Sequence, residues 1–322
     1  MQAILRTTYG SSDILKFMET DKPVPKDNQI LIKVSAASVN PLDWHVLRGD
    51  PFLIRLMGFG ILKPKHKIIG ADMSGTVEAV GKDVTQFKTG DEVFGSGMGG
   101  FAEYACIPES RAVIKPASMS FEQAAAVPIA GVTALQALRD HGKLQSRQHL
   151  LINGASGGVG TFAVQIAKAM GAEVTGVCSG KNLELVKSIG ADHLIDYTKD
   201  DFWLSGTEYD LILDNAAFNP ISKSLSALRK GGIYIGIGGS SDTLSIFLSM
   251  IFNPLIAKMK GRKVASFIAD INQTELSFIK ELMENGKIEP VIGRSYTLRE
   301  TPEAIKYVET GHARGKVVIT LD

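Results

Sequence analysis

The sequence predicts an α/β protein in two parts: a mostly-β domain first, then a doubly wound parallel sheet. Three observations carry this reading. The 322 residues exceed the size at which a single core usually stops growing. The first third reads as short strands between glycine turns, with few helix signals. From Leu150 onward the order strand, glycine turn, helix, strand recurs.

In the first part the strands are Ile30–Ser35, Ile68–Val80, Asp91–Phe94 and Ala102–Ile107. Gly70, Gly75, Gly81, Gly90, Gly95 and the cluster at Gly97–Gly100 punctuate them, as in a strongly bent sheet or partial barrel. Ser120 followed three residues later by Gln123 reads as a capping box that opens a helix, and the boundary is placed there, giving residues 1–124 and 125–269. His149–Asn153, Val159–Ala169 and Glu173–Cys178 then form a βαβ unit. Leu183–Ile189, His193–Ile195, Leu211–Asp214, Ile221–Leu228, Gly232–Ile237 and Lys263–Ile268 continue the alternation. Residues 270–322, with helices at Glu275–Asn285 and Thr301–Glu309 and strands at Tyr296–Leu298 and Lys316–Thr320, are expected to return to the first domain.

Composition excludes several function classes. Hydrophobic residues at 44% and charged residues at 21% describe a globular chain rather than a disordered or fibrous one. The 35 Lys and Arg against 34 Asp and Glu leave a net charge of +1, too little to hold a nucleic acid. Cys106 and Cys178 stand far apart without a Cys or His at metal-ligand spacing, so neither a disulfide scaffold nor structural zinc is expected. The first residues run into a strand pattern without an export signal, which points to the cytosol.

Between a strand and a helix stand Gly154, Ala155, Ser156, Gly157, Gly158, Val159 and Gly160. Glycines let a backbone approach a pyrophosphate without a Cβ clash, and the helix start offers free N–H groups and a positive dipole end. Ala155 takes the place of the first glycine of a dinucleotide fingerprint; Gly157 and Gly160 supply the second and third. A carboxylate that would bond the ribose of NAD is missing from Val177–Lys181. Ser179 can donate a hydrogen bond and Lys181 a point charge to a 2′-phosphate, with Tyr197 a third contact, so NADPH is the expected cofactor. A solvated loop charge at Lys181 and a packing role for Tyr197 remain as alternatives.

Six segments extend the pattern over the chain: Ser38–Asp43, Ile69–Gly75, Gly90–Val93, Ala130–Ala134, Gly154–Gly160 and Gly311–Val318. Together they resemble the medium-chain dehydrogenase/reductase superfamily, nearest its zinc-free quinone oxidoreductase branch. The resemblance implies a GroES-like catalytic domain, a Rossmann cofactor domain and a homodimer joined through the edge strand Lys263–Ile268. Zinc alcohol dehydrogenases of the superfamily carry a Cys at the position matching Asn40, a Gly-His-Glu at Gly70–Asp72 and a Cys near Ile129. Thiolate and imidazole are absent at all of these places here, so no catalytic metal is expected.

The resemblance also places Asn40 and Thr133 near nicotinamide and substrate, with Asn40 donating to a developing oxyanion and Thr133 fixing the carboxamide; a turn or capping role is the alternative for both. His45 is a candidate proton donor, though a structural histidine on that helix is the alternative. Asn215, Gly236, Gly238, His312, Ala313 and Arg314 are further expected cofactor contacts. The expected reaction is hydride transfer from NADPH to a quinone or α,β-unsaturated carbonyl held between the domains. A reductase of other activated alkenes is the alternative among enzymes, and the rival reading from another class is an NADPH-binding regulatory or membrane-associated protein with little turnover. Its support is the apolar, then basic stretch Leu244–Lys263, in which Lys258, Lys260, Arg262 and Lys263 would face lipid phosphates in a weak peripheral contact; an acceptor-pocket lid, a subunit contact and a helix buried against its own domain are the alternatives.

Overall fold

The structure, a computed structural model, describes residues 1–216, 219–237 and 253–321. The chain divides into two compact units. The first comprises Met1–Val132, Asp270–Gly286 and Pro290–Asp322; the second comprises Thr133–Ala269 and Lys287–Glu289.

The first unit is built on strands β1 (Gln2–Leu5), β2 (Lys16–Glu19), β3 (Gln29–Val39), β4 (Asp72–Val80), β5 (Glu92–Ser96), β6 (Tyr104–Pro108) and β7 (Ala112–Ile114). β3 pairs with β4 along its length and with β6 through residues 29–33. Register shifts at Leu31/Ile32 and Val34/Ala36 bend it, as bulges do. The strand expected from Ile68 starts only at Asp72. Ile68 instead bridges Leu5 in antiparallel fashion, and at Gly70, with φ +97 and no room for a Cβ against Phe101, the chain turns away before pairing with β3. Between β3 and β4 run helix α1 (Pro41–Arg48) and the short α2 (Phe52–Ile54).

Helix α3 (Phe121–Ala125) carries the expected box, with Gln123 N donating to Ser120 Oγ and Gln123 Oε1 accepting from Ser120 N. Ser74 Oγ donates to Phe121 O, and Ala125 and Ala126 are buried with Ala36 and Val318. These contacts keep residues 125–132 with the first unit, so the division falls at Val132/Thr133 rather than at 124/125. Helix α4 (Pro128–Gln136) runs across it.

The second unit is a parallel sheet of β8 (His149–Asn153), β9 (Glu173–Cys178), β10 (His193–Asp196), β11 (Tyr209–Asp214), β12 (Leu228–Gly236) and β13 (Lys263–Ala265), in the order β10-β9-β8-β11-β12-β13. Strand order reverses between β8 and β11, the point at which open α/β sheets place ligands. Helix α5 (Gly158–Ala169) follows β8, and its Phe162, Ala163, Val164 and Ile166 are buried. Gln165 exchanges two hydrogen bonds with the backbone of Glu289, which ties Lys287–Glu289 to this unit.

Beyond it, β14 (Ile292–Thr297) and β15 (Lys316–Thr320) return to the first sheet, giving the order β14-β15-β3-β4-β5-β7. Gly238 and residues 244–252 of the apolar-basic stretch lie outside the described residues. In its described part Arg262 does not face outward as a lipid contact: its guanidinium donates to Leu228 O and Lys260 O.

Candidate functional site

In the second unit, β8 ends at Asn153 and the chain turns through Gly154, with φ +75. Gly154 N and Ala155 N both donate to Val177 O, which pins the turn to the end of β9. Gly157 caps α5 in extended backbone, so the N–H groups of Gly158, Val159 and Gly160 begin the helix without a carbonyl of their own. The glycines standing second and third in the fingerprint differ in what they accommodate. A Cβ on Gly160 would stand 2.2 Å from Gly154 O, a clash within the chain. A Cβ on Gly157 would meet only Gly154 O at 3.4 Å, an ordinary contact, so the chain itself does not require glycine there. A ligand lying close against the turn would. Ala155 is fully buried, its methyl turned toward Gly176 of β9, and can offer a ligand only its backbone.

Ser156, Ser179 and Asn182 form a polar brace that the sequence reading missed in part. Asn182 Nδ2 donates to Ser156 Oγ at 3.1 Å and to Ser179 Oγ at 3.2 Å. With its oxygen so occupied, the Ser179 hydroxyl hydrogen is free to donate outward. Lys181 is exposed, and Tyr197, 53% exposed, is held by its backbone to Cys178 O. The missing carboxylate reappears from the next strand: Asp196 lies beside Gly180, its Oδ1 accepting from Thr198 N and Oγ1. Those bonds hold its pKa below the usual carboxylate range.

At the reversal of strand order, Asp214 is buried between three donors: Asn153 Nδ2 at 2.8 Å, Tyr234 Oη at 2.9 Å and Ala216 N at 3.2 Å. Burial beside Asp214 pushes the Tyr234 phenol up. This hub fixes the neighbouring Asn215, whose backbone N–H donates to Asn153 O. Among the described residues of the unit, the Asn215 carboxamide and the Ser224 hydroxyl are buried without a partner, and Asn215 is the one beside the glycine turn: both its Oδ1 and Nδ2 lack any hydrogen-bond partner. Leaving such a group unpaired costs about 1–3 kcal/mol, which a ligand amide or hydroxyl would recover. Gly236 pairs with Asp214 one strand over. The turn, the Asn215 amide and the Ser179–Lys181 loop fit a phosphorylated dinucleotide.

In the first unit, Asn40 caps α1 and is 2% exposed. It does not present a free amide. Its Nδ2 donates to Asp72 Oδ2 at 3.0 Å and lies 3.4 Å from Ser38 O, while its Oδ1 accepts from Lys316 Nζ. Asn40 N donates to Asp43 Oδ2 at 2.7 Å, and Ile129 N donates to Asp72. Asp43, Asp72 and Lys316 are all buried, a cluster of two carboxylates and one ammonium joined through Asn40. Burial pushes the Asp43 carboxyl up to about 7 and raises Asp72, with Lys316 opposing; burial lowers Lys316.

The Asp43 shift has a definite sign in stability. Its folded pKa lies above the value of about 3.9 for an unfolded chain. Between those limits the native state holds a proton that the unfolded state has released, so this group's contribution falls as pH rises toward 7. Asp43→Asn, neutral throughout, is expected to flatten the decline; urea midpoints at several pH values across this window check it. An unchanged slope would remove Asp43 as its source.

His45 sits half-buried on α1, stacked on Trp44, with Nδ1 2.7 Å from Asp50 O. A carbonyl partner requires the proton on Nδ1, leaving Nε2 unprotonated, and burial lowers the pKa further. This arrangement disfavours a proton donor at neutral pH. Thr133 is buried on α4. His312 is exposed with Nδ1 near Thr310 O, Ala313 packs partly on the core of the first unit, and Arg314 is exposed. Among the described residues no three His, Cys, Asp or Glu side chains gather as metal ligands, and none of the described helices is long and apolar enough to cross a membrane.

Comparison with known proteins agrees with the two units. Residues 26–117 match the family described as alcohol dehydrogenase GroES-like domain, and residues 189–319 the one described as zinc-binding dehydrogenase. The chloroplastic quinone-oxidoreductase QR1 of Triphysaria versicolor is 36% identical, over 99% of this chain and 98% of its own. The 2-methylene-furan-3-one reductase of Solanum lycopersicum is 33% identical, over 99% of this chain and 79% of its own. The quinone oxidoreductase of Coxiella burnetii superposes with a TM-score of 0.89 at 32% identity, covering 100% of this chain and 99% of that one. With a parallel sheet reversing its order at a glycine turn, a bulged β domain and kinship along the whole chain, this protein belongs to the medium-chain dehydrogenase/reductase superfamily, in its quinone oxidoreductase branch.

Proposed function

We propose that the chain is an NADPH-dependent reductase that delivers hydride to a quinone or an α,β-unsaturated carbonyl without a metal. The observation that carries this reading is the buried, unpartnered Asn215 carboxamide beside the Gly154–Gly160 turn. When bound, the reduced nicotinamide supplies the hydride. The N–H groups of Gly158, Val159 and Gly160 hold its pyrophosphate, and Asn215 gains the hydrogen bonds it lacks. Ser179 and Lys181 hold the 2′-phosphate. Asn40 positions rather than donates, since its amide hydrogens are turned toward Asp72 and Ser38. With His45 disfavoured as an acid, solvent supplies the proton. A zinc ion has no thiolate or imidazole at the Asn40, Ala71 and Asp72 positions, and Asn40 Oδ1 is already bonded to an ammonium. The names of the relatives, a quinone reductase and a reductase of an exocyclic enone, support the acceptor class.

Strand β13 ends the described sheet with one free edge, which supports a homodimer through that strand. Cys106 and Cys178 are free thiols, which suits a reducing compartment such as the cytosol.

Loss of NADPH absorbance under anaerobic conditions, with a quinone panel and an enone panel, tests the reading. Turnover with a member of either panel is expected. Tight NADPH binding with no acceptor reduced would overturn it in favour of a regulatory protein. Lys181→Ala is expected to raise KM for NADPH by roughly tenfold while leaving NADH nearly unchanged. Because Asp196 lies close by, equal losses for both cofactors would show that Lys181 does not face the 2′-phosphate.

A further inference from the structure

We propose that residues 52–67 seat the chain on the surface of a bilayer carrying anionic lipid headgroups. The proposal is independent of the cofactor reading and rests on a segment with two unlike sides. Its inner side is fastened down: Ile54 and Phe59 pack on the core of the first unit, and Arg55 Nε donates to Gly49 O. The Arg55 guanidinium lies 4.3 Å from the Tyr9 ring centroid, and Tyr9 Oη donates to Phe59 O. Its outer side is apolar. Phe52, Leu53, Leu56, Met57, Ile61 and Leu62 are all exposed, Leu62 at 90%. Six large apolar side chains exposed within eleven consecutive residues exceed the scattered single exposures that need no explanation on a folded protein.

Charge complementarity selects the occupant. Lys63, Lys65 and Lys67 follow directly and are exposed, and no Asp or Glu occurs between Asp50 and Asp72. An apolar face followed by three exposed lysines, with no carboxylate within the segment, matches an interface where acyl chains meet anionic headgroups. A second copy fits less well, because a two-fold contact through this patch would set the lysines of both copies against one another. No described helix can span a bilayer, so the segment lies on the membrane rather than through it.

Flotation of the full chain with vesicles tests the proposal. One set is phosphatidylcholine alone, and the other includes about 30 mol% phosphatidylglycerol. Binding to the anionic set only, and release by salt, are expected. Leu56→Glu/Leu62→Glu and Lys63→Glu/Lys65→Glu/Lys67→Glu are each expected to lower the bound fraction by about tenfold. All five positions are exposed, and NADPH oxidation with a water-soluble quinone serves as the control for folding. Flotation of either variant like the unaltered chain would overturn the proposal, as would equal binding to both vesicle sets. So would absence of flotation with a dimer that Leu62→Glu dissociates, which would assign the patch to a second copy. A raised KM for the soluble quinone with unchanged flotation would assign it to the acceptor instead.

Discussion

Lys316→Met is expected to cost about 3–5 kcal/mol of stability at neutral pH, the range for breaking a buried charge pair by removing one partner. The ammonium is 3% exposed, bonds Asn40 Oδ1, and opposes the burial of both Asp43 and Asp72. Methionine fills a similar volume, so little of the loss comes from a cavity. What remains is two carboxylates in an apolar surround with no cation. Two features separate this cause from general disruption. First, the loss should shrink as pH falls below about 7, where Asp43 takes up its proton, so urea midpoints of the variant and the unaltered chain should converge toward pH 5. Second, Lys316→Met/Asp72→Asn should recover much of the loss, because it removes a charge that Lys316→Met leaves unpaired. A loss below about 1 kcal/mol, or no recovery in the double variant, would show that the ammonium does not compensate these carboxylates.

That cluster also marks the limit of what the sequence could disclose. The Gly154–Gly160 turn was legible because its parts are local: strand, glycines and helix start lie within a dozen residues, and the structure assembles them from those same residues. Asp43, Asp72 and Lys316 become neighbours only through pairing across the sheet, where Ser38 stands opposite Asp72 and Val39 opposite Val317. Periodicity cannot supply that register. A signal was present nonetheless: Asp72 and Lys316 are lone charges beside apolar strand residues, and buried charges need partners. Asn40 was picked out for a free amide donor, a role that depends on what its amide meets. The structure fills that amide with Asp72 and Lys316, so a residue that read as reactive in isolation becomes a link in a charge network. Asn182 was missed for a related reason, since its side chain matters only once β8 and β9 bring Ser156 and Ser179 within its reach.

Gly157→Ala is expected to weaken NADPH binding by about a hundredfold, or about 2.7 kcal/mol, while lowering stability by no more than about 1 kcal/mol. The added methyl would meet only Gly154 O at 3.4 Å, so the folded chain accepts it. A pyrophosphate drawn onto the N–H groups of Gly158, Val159 and Gly160 would not, because the methyl stands where its oxygens approach. Gly160→Ala supplies the contrast. Its methyl would lie 2.2 Å from Gly154 O and 2.8 Å from Ala155, so the turn itself must shift, and stability should fall by about 1–3 kcal/mol along with binding. Fluorescence titration with NADPH and urea unfolding of both variants read the two quantities separately. The combination that matters is lost binding with a retained fold at Gly157, since a turn that served packing alone would lose neither. Wild-type affinity in Gly157→Ala would mean that no phosphate lies against this turn, and the Asn215 carboxamide would then be left without the ligand that explains it.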